Sequence, residues 1–128
     1  MKVFIAGVDG YLGWSLAQYL TGRGHEVSGI DNLARPQWVA DMDSQSAVPV
    51  SSIEERLAAF VAQYGTPLTF YQGDLMDYAF LRDALAEVQP DAIVHLGEVP
   101  SAPYSMIDQA RAAYTQSNNV LGSLNMLW

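Results

Sequence analysis

The chain has 128 residues, half of them hydrophobic and 11% aromatic, with fourteen Asp plus Glu against six Lys plus Arg and a net charge of −8. That length and composition read as one folded domain, and so acidic a chain excludes nucleic acid as an expected partner while leaving room for an anionic cofactor held by backbone N–H groups. With no cysteine, disulfides and thiolate metal sites are excluded, and no apolar run approaches the ~20 residues of a membrane span.

Lys2 leads directly into a strand-like run, Val3–Ala6, which leaves no room for a targeting peptide and makes the cytoplasm the expected location. Three further short apolar runs, Val27–Ile30, Leu68–Gln72 and Ala92–Leu96, also read as strands. None shows clean in–out alternation, as expected of strands covered on both faces. Between them lie segments of helical period. The first runs from about Gly10 to Gly22 with Leu12, Leu16 and Leu20 on one face, and Gly22 and Gly24 supply its stop. The second opens on a capping box, Ser52 to Glu55, presents Ile53, Leu57, Phe60, Val61 and Tyr64, and ends at Gly65. The third starts near Asp77 and is expected to bury Phe80, Leu81, Ala84, Leu85 and Val88 before Pro90. The fourth is expected to open near Ser105, with Asp108 three places on, and to run toward Trp128. Asn32–Ser51 is too long for an ordinary connector and reads as a surface excursion, functional or disordered.

Strands alternating with helices at these spacings predict an α/β fold, a Rossmann-type doubly wound parallel sheet of about four strands and four helices. The last helical run carries Leu121, Leu124, Leu127 and Trp128 without a closing Gly, Asn or Pro, so residues 1–128 are expected to be the N-terminal part of a longer Rossmann domain, without its C-terminal substrate-binding portion. The unpaired edge of such a partial sheet favours self-association or a complementing chain.

The turn after the first strand is Gly7-Val8-Asp9-Gly10-Tyr11-Leu12-Gly13. In that setting the first glycine allows a sharp turn, the second a close approach of backbone to pyrophosphate, and the third tight packing of helix on sheet. Asp31 ends the second strand eighteen residues beyond Gly13, where an acid can hydrogen-bond ribose hydroxyls and repel a 2′-phosphate, which favours NAD over NADP. Arg35, four residues on, reads equally as a phosphate contact or a surface residue. Asp74 and Leu75 follow the third strand, where the acid can accept from an adenine amino group or simply precede the helix. His95 reads as a satisfied strand-end residue, since no partner stands at metal-ligand spacing, and no metal site is expected.

With these residues in place, the chain resembles the extended short-chain dehydrogenase/reductase superfamily, through Gly7/Gly10/Gly13, Asp31, Asp74-Leu75 and Asn119-Val120-Leu121-Gly122-Ser123. More narrowly, Val8–Trp14, Asp31–Arg35, Ser101-Ala102-Pro103-Tyr104-Ser105-Met106-Ile107-Asp108 and Tyr114–Val120 resemble the UDP-sulfoquinovose synthase family. The resemblance implies an NAD-dependent conversion of UDP-glucose and sulfite to UDP-sulfoquinovose, a sulfolipid headgroup donor, by way of a 4-keto intermediate. It implies Gly7, Asp9, Gly10, Tyr11, Leu12 and Gly13 around the pyrophosphate, and Asp31, Asn32, Leu33 and Arg35 at the adenosine end with Asp74 and Leu75. It implies Leu96, Gly97 and Asn119 along the nicotinamide half, and Ser101 and Tyr104 toward the sugar nucleotide.

Two features depart from the family pattern. Glu98-Val99-Pro100 stands where Glu-Gln-Arg is expected, which removes a cation suited to an anionic substrate. The superfamily's catalytic base is the tyrosine of a Tyr-x-x-x-Lys pair, and Lys2, the sole lysine, precedes every tyrosine, so no catalytic residue is assigned within these residues. The remaining expectations are a different NAD-dependent nucleotide-sugar epimerase or dehydratase, or a non-catalytic NAD-binding module.

Overall fold

The computed structural model describes residues 1–128. Its elements in chain order are β1 (Lys2–Ala6), α1 (Tyr11–Thr21), β2 (Glu26–Asp31), α2 (Arg35–Ala40), α3 (Ile53–Tyr64), β3 (Thr69–Gln72), α4 (Tyr78–Val88), β4 (Ala92–His95), α5 (Ala102–Ser105) and α6 (Gln109–Gln116). A π-helical turn, Ser117–Leu121, joins α6 to α7 (Gly122–Leu127). The four strands form one parallel sheet in the order β3-β2-β1-β4, with Ile5 level with Gly29 on one side and Val94 on the other. The order of connection reverses between β1 and β4, so the crevice of the fold opens at their carboxyl ends.

Two packed layers explain why the strands lack alternation. Val3, Ile5 and Val27 pack with Val8, Ala17 and Phe60 beneath α1 and α3. Phe4, Ala6 and Ile30 pack with Leu75, Leu81 and Ala84 beneath α4, with Met126 of α7 at the margin. Each residue of β1 from Val3 onward is therefore buried, whichever face it takes.

Several helix expectations need correction. In α1 the contact stripe is Gly13, Ala17 and Thr21, while Leu12 is 62% exposed and Leu16 and Leu20 only flank the core. The cause is close approach: a Cβ on Gly13 would lie 2.1 Å from the Gly7 carbonyl oxygen, so only small residues fit that face near the turn. The stop belongs to Gly24, at φ +81°, since Gly22 keeps helical geometry. In α3 the capping box forms as expected, with the Glu55 N–H donating to Ser52 Oγ (3.2 Å) and the Ser52 N–H to Glu55 Oε2 (3.0 Å). Val61, however, faces solvent. In α4, Asp77 caps the helix and Leu81 and Ala84 are buried, but Phe80 is 37% exposed and lies over Gly73.

The fourth helical stretch starts later than its periodicity suggests. Asp108 is the N-cap of α6, accepting from the Arg111 N–H at 2.8 Å, and a separate short helix, α5, is capped by Ser101. The expected excursion at Asn32–Ser51 contains the helix α2, whose first turn carries Pro36 where a missing N–H costs nothing.

Candidate functional site

The cleft at the carboxyl ends of the strands is open to solvent and is lined by Gly7, Asp9, Gly10, Ile30, Asp31, Asn32, Arg35, Trp38, Gly73, Leu75, Leu96, Gly97, Glu98 and Asn118. Its floor is backbone. Gly7 takes φ +78°, its N–H donates to the Ile30 carbonyl at 2.9 Å, and a Cβ there would sit 2.6 Å from the Gly97 nitrogen. The left-handed conformation and the lack of space both demand glycine. At Gly10 a Cβ would meet only the Gly7 oxygen, at 3.2 Å, so this residue leaves the surface open to a ligand. Beyond it, the N–H groups of Tyr11, Leu12 and Gly13 have no acceptor within the protein. Three unpaired donors at a helix start suit the oxygens of a pyrophosphate. Tyr11 and Leu12 contribute only these backbone groups, because their side chains point to solvent.

Asp31 closes the other wall. Its Oδ2 accepts from the Asp9 N–H (3.0 Å) and its Oδ1 from the Leu33 N–H (2.9 Å). Burial pushes its pKa up, and those N–H groups with the Arg56 charge pull it back only partly. Leu33 has φ +57°, a costly conformation for a branched residue, and the Asp31 bond holds it there. Asn32 receives the Ala34 N–H on Oδ1 (3.0 Å) and donates to Asp74 Oδ2 (3.2 Å), while Asp74 Oδ1 accepts from the Met76 N–H (2.8 Å). These contacts tie the ends of β2 and β3 together. Arg35 is exposed at the rim and makes no ion pair.

On the β4 side the expected and observed roles diverge. Asn119 lies back from the cleft and clamps Val99, accepting its N–H at 2.8 Å and donating to its carbonyl at 3.1 Å. Its neighbour Asn118 is the residue that lines the cleft, 2% exposed, with Nδ2 donating to the Gly97 oxygen at 3.1 Å. The π-helical turn sets this register, and such turns recur at functional sites. Gly97 is confined by Leu75, whose Cδ1 would lie 2.5 Å from an added Cβ. His95 has both ring nitrogens engaged, one with Ser123 Oγ (3.1 Å) and one with the Gly97 N–H (3.3 Å). No group of three or more metal-ligating side chains converges anywhere.

Sequence reasoning missed the cover of this site. The segment bearing α2 crosses as a strap onto α5 and α6. Trp38 packs between Tyr104 and Tyr114, with ring centroids 5.7 and 5.9 Å away, and Arg111 donates to Asp41 Oδ2 (2.9 Å) and Asp108 Oδ2 (2.6 Å). Ser101 caps α5 and donates to Met42 Sδ at 3.4 Å. Ser101 and Tyr104 thus lie beneath the strap, Tyr104 buried. Arg56 was also missed; it pairs with Asp9 and spreads over the Trp14 ring at 4.9 Å.

A parallel sheet in this order, with a glycine turn, free N–H groups and an acid at the end of β2, defines a Rossmann-type dinucleotide-binding domain. The model of the NAD dependent epimerase/dehydratase family matches residues 3–128, and the chain belongs to that family. NAD is its cofactor. The chain is 44% identical over 127 residues to UDP-sulfoquinovose synthase of Sulfolobus acidocaldarius and 39% identical to the chloroplastic UDP-sulfoquinovose synthase of Spinacia oleracea. These matches cover 99% of the chain but 32% and 26% of the relatives, so the chain spans about a third of their length or less. Among solved structures, UDP-glucose 4-epimerase of Bifidobacterium longum, in complex with NAD+ and UDP, superposes with a TM-score of 0.77 at 22% identity. That of Thermus thermophilus, in complex with NAD, gives 0.70 at 26%. Each of these comparisons covers 99% of this chain and 32% of the other. The resemblance to UDP-sulfoquinovose synthases and the Rossmann-type fold expected from the sequence are both borne out. No helix is long and apolar enough to cross a membrane.

Proposed function

We propose that the chain is the cofactor-binding part of a nucleotide-sugar-modifying enzyme of the UDP-sulfoquinovose synthase type, and that residues 1–128 are the N-terminal portion of its Rossmann domain. The observation that carries the reading is the combination of three acceptor-free N–H groups, at Tyr11, Leu12 and Gly13 just beyond the glycine turn, with the Asp31 carboxylate, which lines the same cleft as Gly7 and Gly10 of that turn. The glycine turn, with Gly7, Asp9 and Gly10, shapes the pyrophosphate site, and the free N–H groups of Tyr11, Leu12 and Gly13 supply its main-chain donors. Asp31, Asn32, Leu33 and Arg35 hold the adenosine end, and Asp74 and Leu75 the adenine. Leu96 and Gly97 flank the nicotinamide half, with Asn119 acting through Val99 and Asn118 in contact. NAD, when bound, supplies the hydride acceptor and donor for chemistry at the sugar. The nucleotide sugar, UDP-glucose in this reading, enters on the side of Ser101 and Tyr104 with the strap parted.

Within these residues there is no proton-transfer pair, because Lys2 is the sole lysine and precedes every tyrosine. The chain alone therefore binds cofactor and does not turn over substrate. Calorimetric titration with NAD tests the first half of this, and saturable heat at sub-millimolar cofactor is expected; none at millimolar cofactor would refute it. The chain extended by a segment carrying a Tyr-x-x-x-Lys pair tests the second, converting UDP-glucose only when sulfite is present. Turnover independent of sulfite favours instead an epimerase or dehydratase of the same family, the reading that Pro100 supports by replacing an expected arginine.

A further inference from the structure

An acid in a phosphate-binding turn is a liability, and Asp9 sits between Val8 and Gly10 of this one. Its N–H is fixed to Asp31 Oδ2 at 3.0 Å, which brings two carboxylates to the wall that is to receive a diphosphate. Burial pushes the Asp9 pKa up, the Arg56 charge pulls it down, and the neighbouring Asp31 charge pushes it up again. Only one cation is engaged with this pair. Arg56, the fourth residue of α3, bonds Asp9 Oδ1, while its guanidinium lies over Trp14. Its Nε is buried without a partner, so the side chain is held by Asp9 and by the indole rather than by a wider hydrogen-bond network. Among the other charged groups around the cleft, Arg35 stands unpaired at the rim, Glu98 is exposed, and Asp74 is taken by Asn32 and the Met76 N–H.

We propose that Arg56 is a positioning residue for the cofactor: it holds the Asp9 carboxylate aside and neutralises it, so that the glycine turn meets a diphosphate with donors alone. The proposal rests on the NAD-binding reading above. Arg56 belongs to α3, 47 residues from Asp9, and does not line the cleft itself. Its effect on the cofactor therefore passes through Asp9. An uncompensated carboxylate in the wall of a diphosphate site, at intermediate screening, weakens binding on the order of ten-fold.

The test uses the chain itself and calorimetry with NAD. Arg56→Met keeps an unbranched aliphatic side chain and removes the charge; affinity is expected to fall on the order of ten-fold. Asp9→Asn added to Arg56→Met is expected to recover most of that loss, and Arg56→Lys to lose less than Arg56→Met. The pH profile gives an independent readout. Binding of a polyanion beside unpaired acids takes up protons, so the affinity of Arg56→Met must improve as pH falls from 8 toward 5, more steeply than that of the unsubstituted chain. A merely structural role would leave the double variant as weak as the single one and the pH slope unchanged. Either result, or an Arg56→Met chain that binds as well as the original, overturns the proposal. Should Arg56→Met not fold, Arg56→Lys with and without Asp9→Asn carries the same comparison. Failure of the unsubstituted chain to bind NAD would instead remove the functional reading on which the proposal stands.

Discussion

The contact between α1 and the glycine turn sets a measurable limit on what the fold tolerates. A methyl group at Gly13 would stand 2.1 Å from the Gly7 oxygen, 2.8 Å from Val8 Cα and 2.9 Å from the Gly7 carbonyl carbon. Comfortable carbon contacts begin near about 3.5 Å, so α1 must retreat from the turn by roughly 1 Å. All three neighbours are backbone, and no rotamer change can relieve them. Overpacking of this kind costs about 1–3 kcal/mol and sometimes more, while alanine returns about 1 kcal/mol of helix propensity over glycine. With three backbone contacts this close the cost falls at the top of that range, and the net for Gly13→Ala is a loss of about 2 kcal/mol, from a total of about 5–15 kcal/mol for a domain. At this chain length that corresponds to a melting point lower by about 6–10 °C. Gly22→Ala is the control, since its Cβ would meet nothing closer than 3.3 Å and its φ of −62° is ordinary. Thermal and urea unfolding followed by circular dichroism should separate the two variants, and NAD titration should show Gly13→Ala weakened because the turn's donors move with α1. If Gly13→Ala melts with the parent chain and binds NAD as well, the close approach is not what fixes the turn.

Asp31→Asn removes a charge-assisted acceptor and is expected to weaken NAD binding on the order of ten-fold or more while narrowing the preference over NADP; an unchanged NAD-to-NADP affinity ratio would contradict the role given to Asp31. Asp9 and Asp31 both have raised pKa values in the folded chain, chiefly through burial. Their contribution to stability is therefore complete below the ordinary carboxylate pKa of about 4 and is lost as pH rises through the raised values. The cofactor-free chain should lose urea resistance over that window relative to Asp9→Asn/Asp31→Asn, and identical pH dependence of the two midpoints would count against it. Asp41 and Asp108 run the other way. The Gln37 side chain and then Arg111 lower the first, and the Arg111 N–H lowers the second, so the strap's ion-paired anchor holds above the ordinary carboxylate pKa and is lost as pH drops through the lowered values. Trp38→Ala deletes two aromatic contacts worth about 0.5–1.5 kcal/mol each. Hydrogen exchange should accelerate in α2 and not in α1, and equal protection in both would show that Trp38 is no anchor.

What could be read from the chain is what local rules govern. The four strands, the Ser52–Glu55 capping box, the Gly65 stop (φ +69°) and the Asp77 cap depend on residues a few positions apart, and all four lie where periodicity and capping chemistry put them. The errors arise where packing overrides periodicity. Leu12 fits a helical stripe but lies where Gly13 brings the helix too close for a large side chain, and Phe80 fits one but is drawn out over Gly73. Asp108 matches the third position of a capping box opened at Ser105, yet Pro103 and the Ser101 cap make α5 a separate turn and leave Asp108 as the cap of α6. In the cleft, Asn118 and Asn119 carry identical side chains. Only the π-helical turn determines which of them faces inward, and no periodicity rule anticipates one extra residue per turn.

The strap was illegible for a different reason. As sequence, Asn32–Ser51 offers two prolines and the stretch Asp41-Met42-Asp43-Ser44, which read as a surface loop. Its partners stand far along the chain: Met42 meets Ser101 across 59 positions and Asp41 meets Arg111 across 70. The sheet order produces that meeting. β2 and β4 flank β1, so the segments leaving their carboxyl ends emerge on the two sides of one crevice and can close across it. A loop of ordinary length after β2 would stop at the rim, whereas α2 lets Trp38 and Asp41 reach α5 and α6. The residues that make Asn32–Ser51 too long for a connector are thus the ones that span the cleft, and three chemically different anchors hold it: aromatic packing at Trp38, ion pairing at Asp41 and a sulfur contact at Met42. Two of these three are insensitive to pH. Acidification that releases Asp41 from Arg111 should therefore loosen the strap without freeing it, and only the combined loss of Trp38 and Arg111 should open the cleft fully.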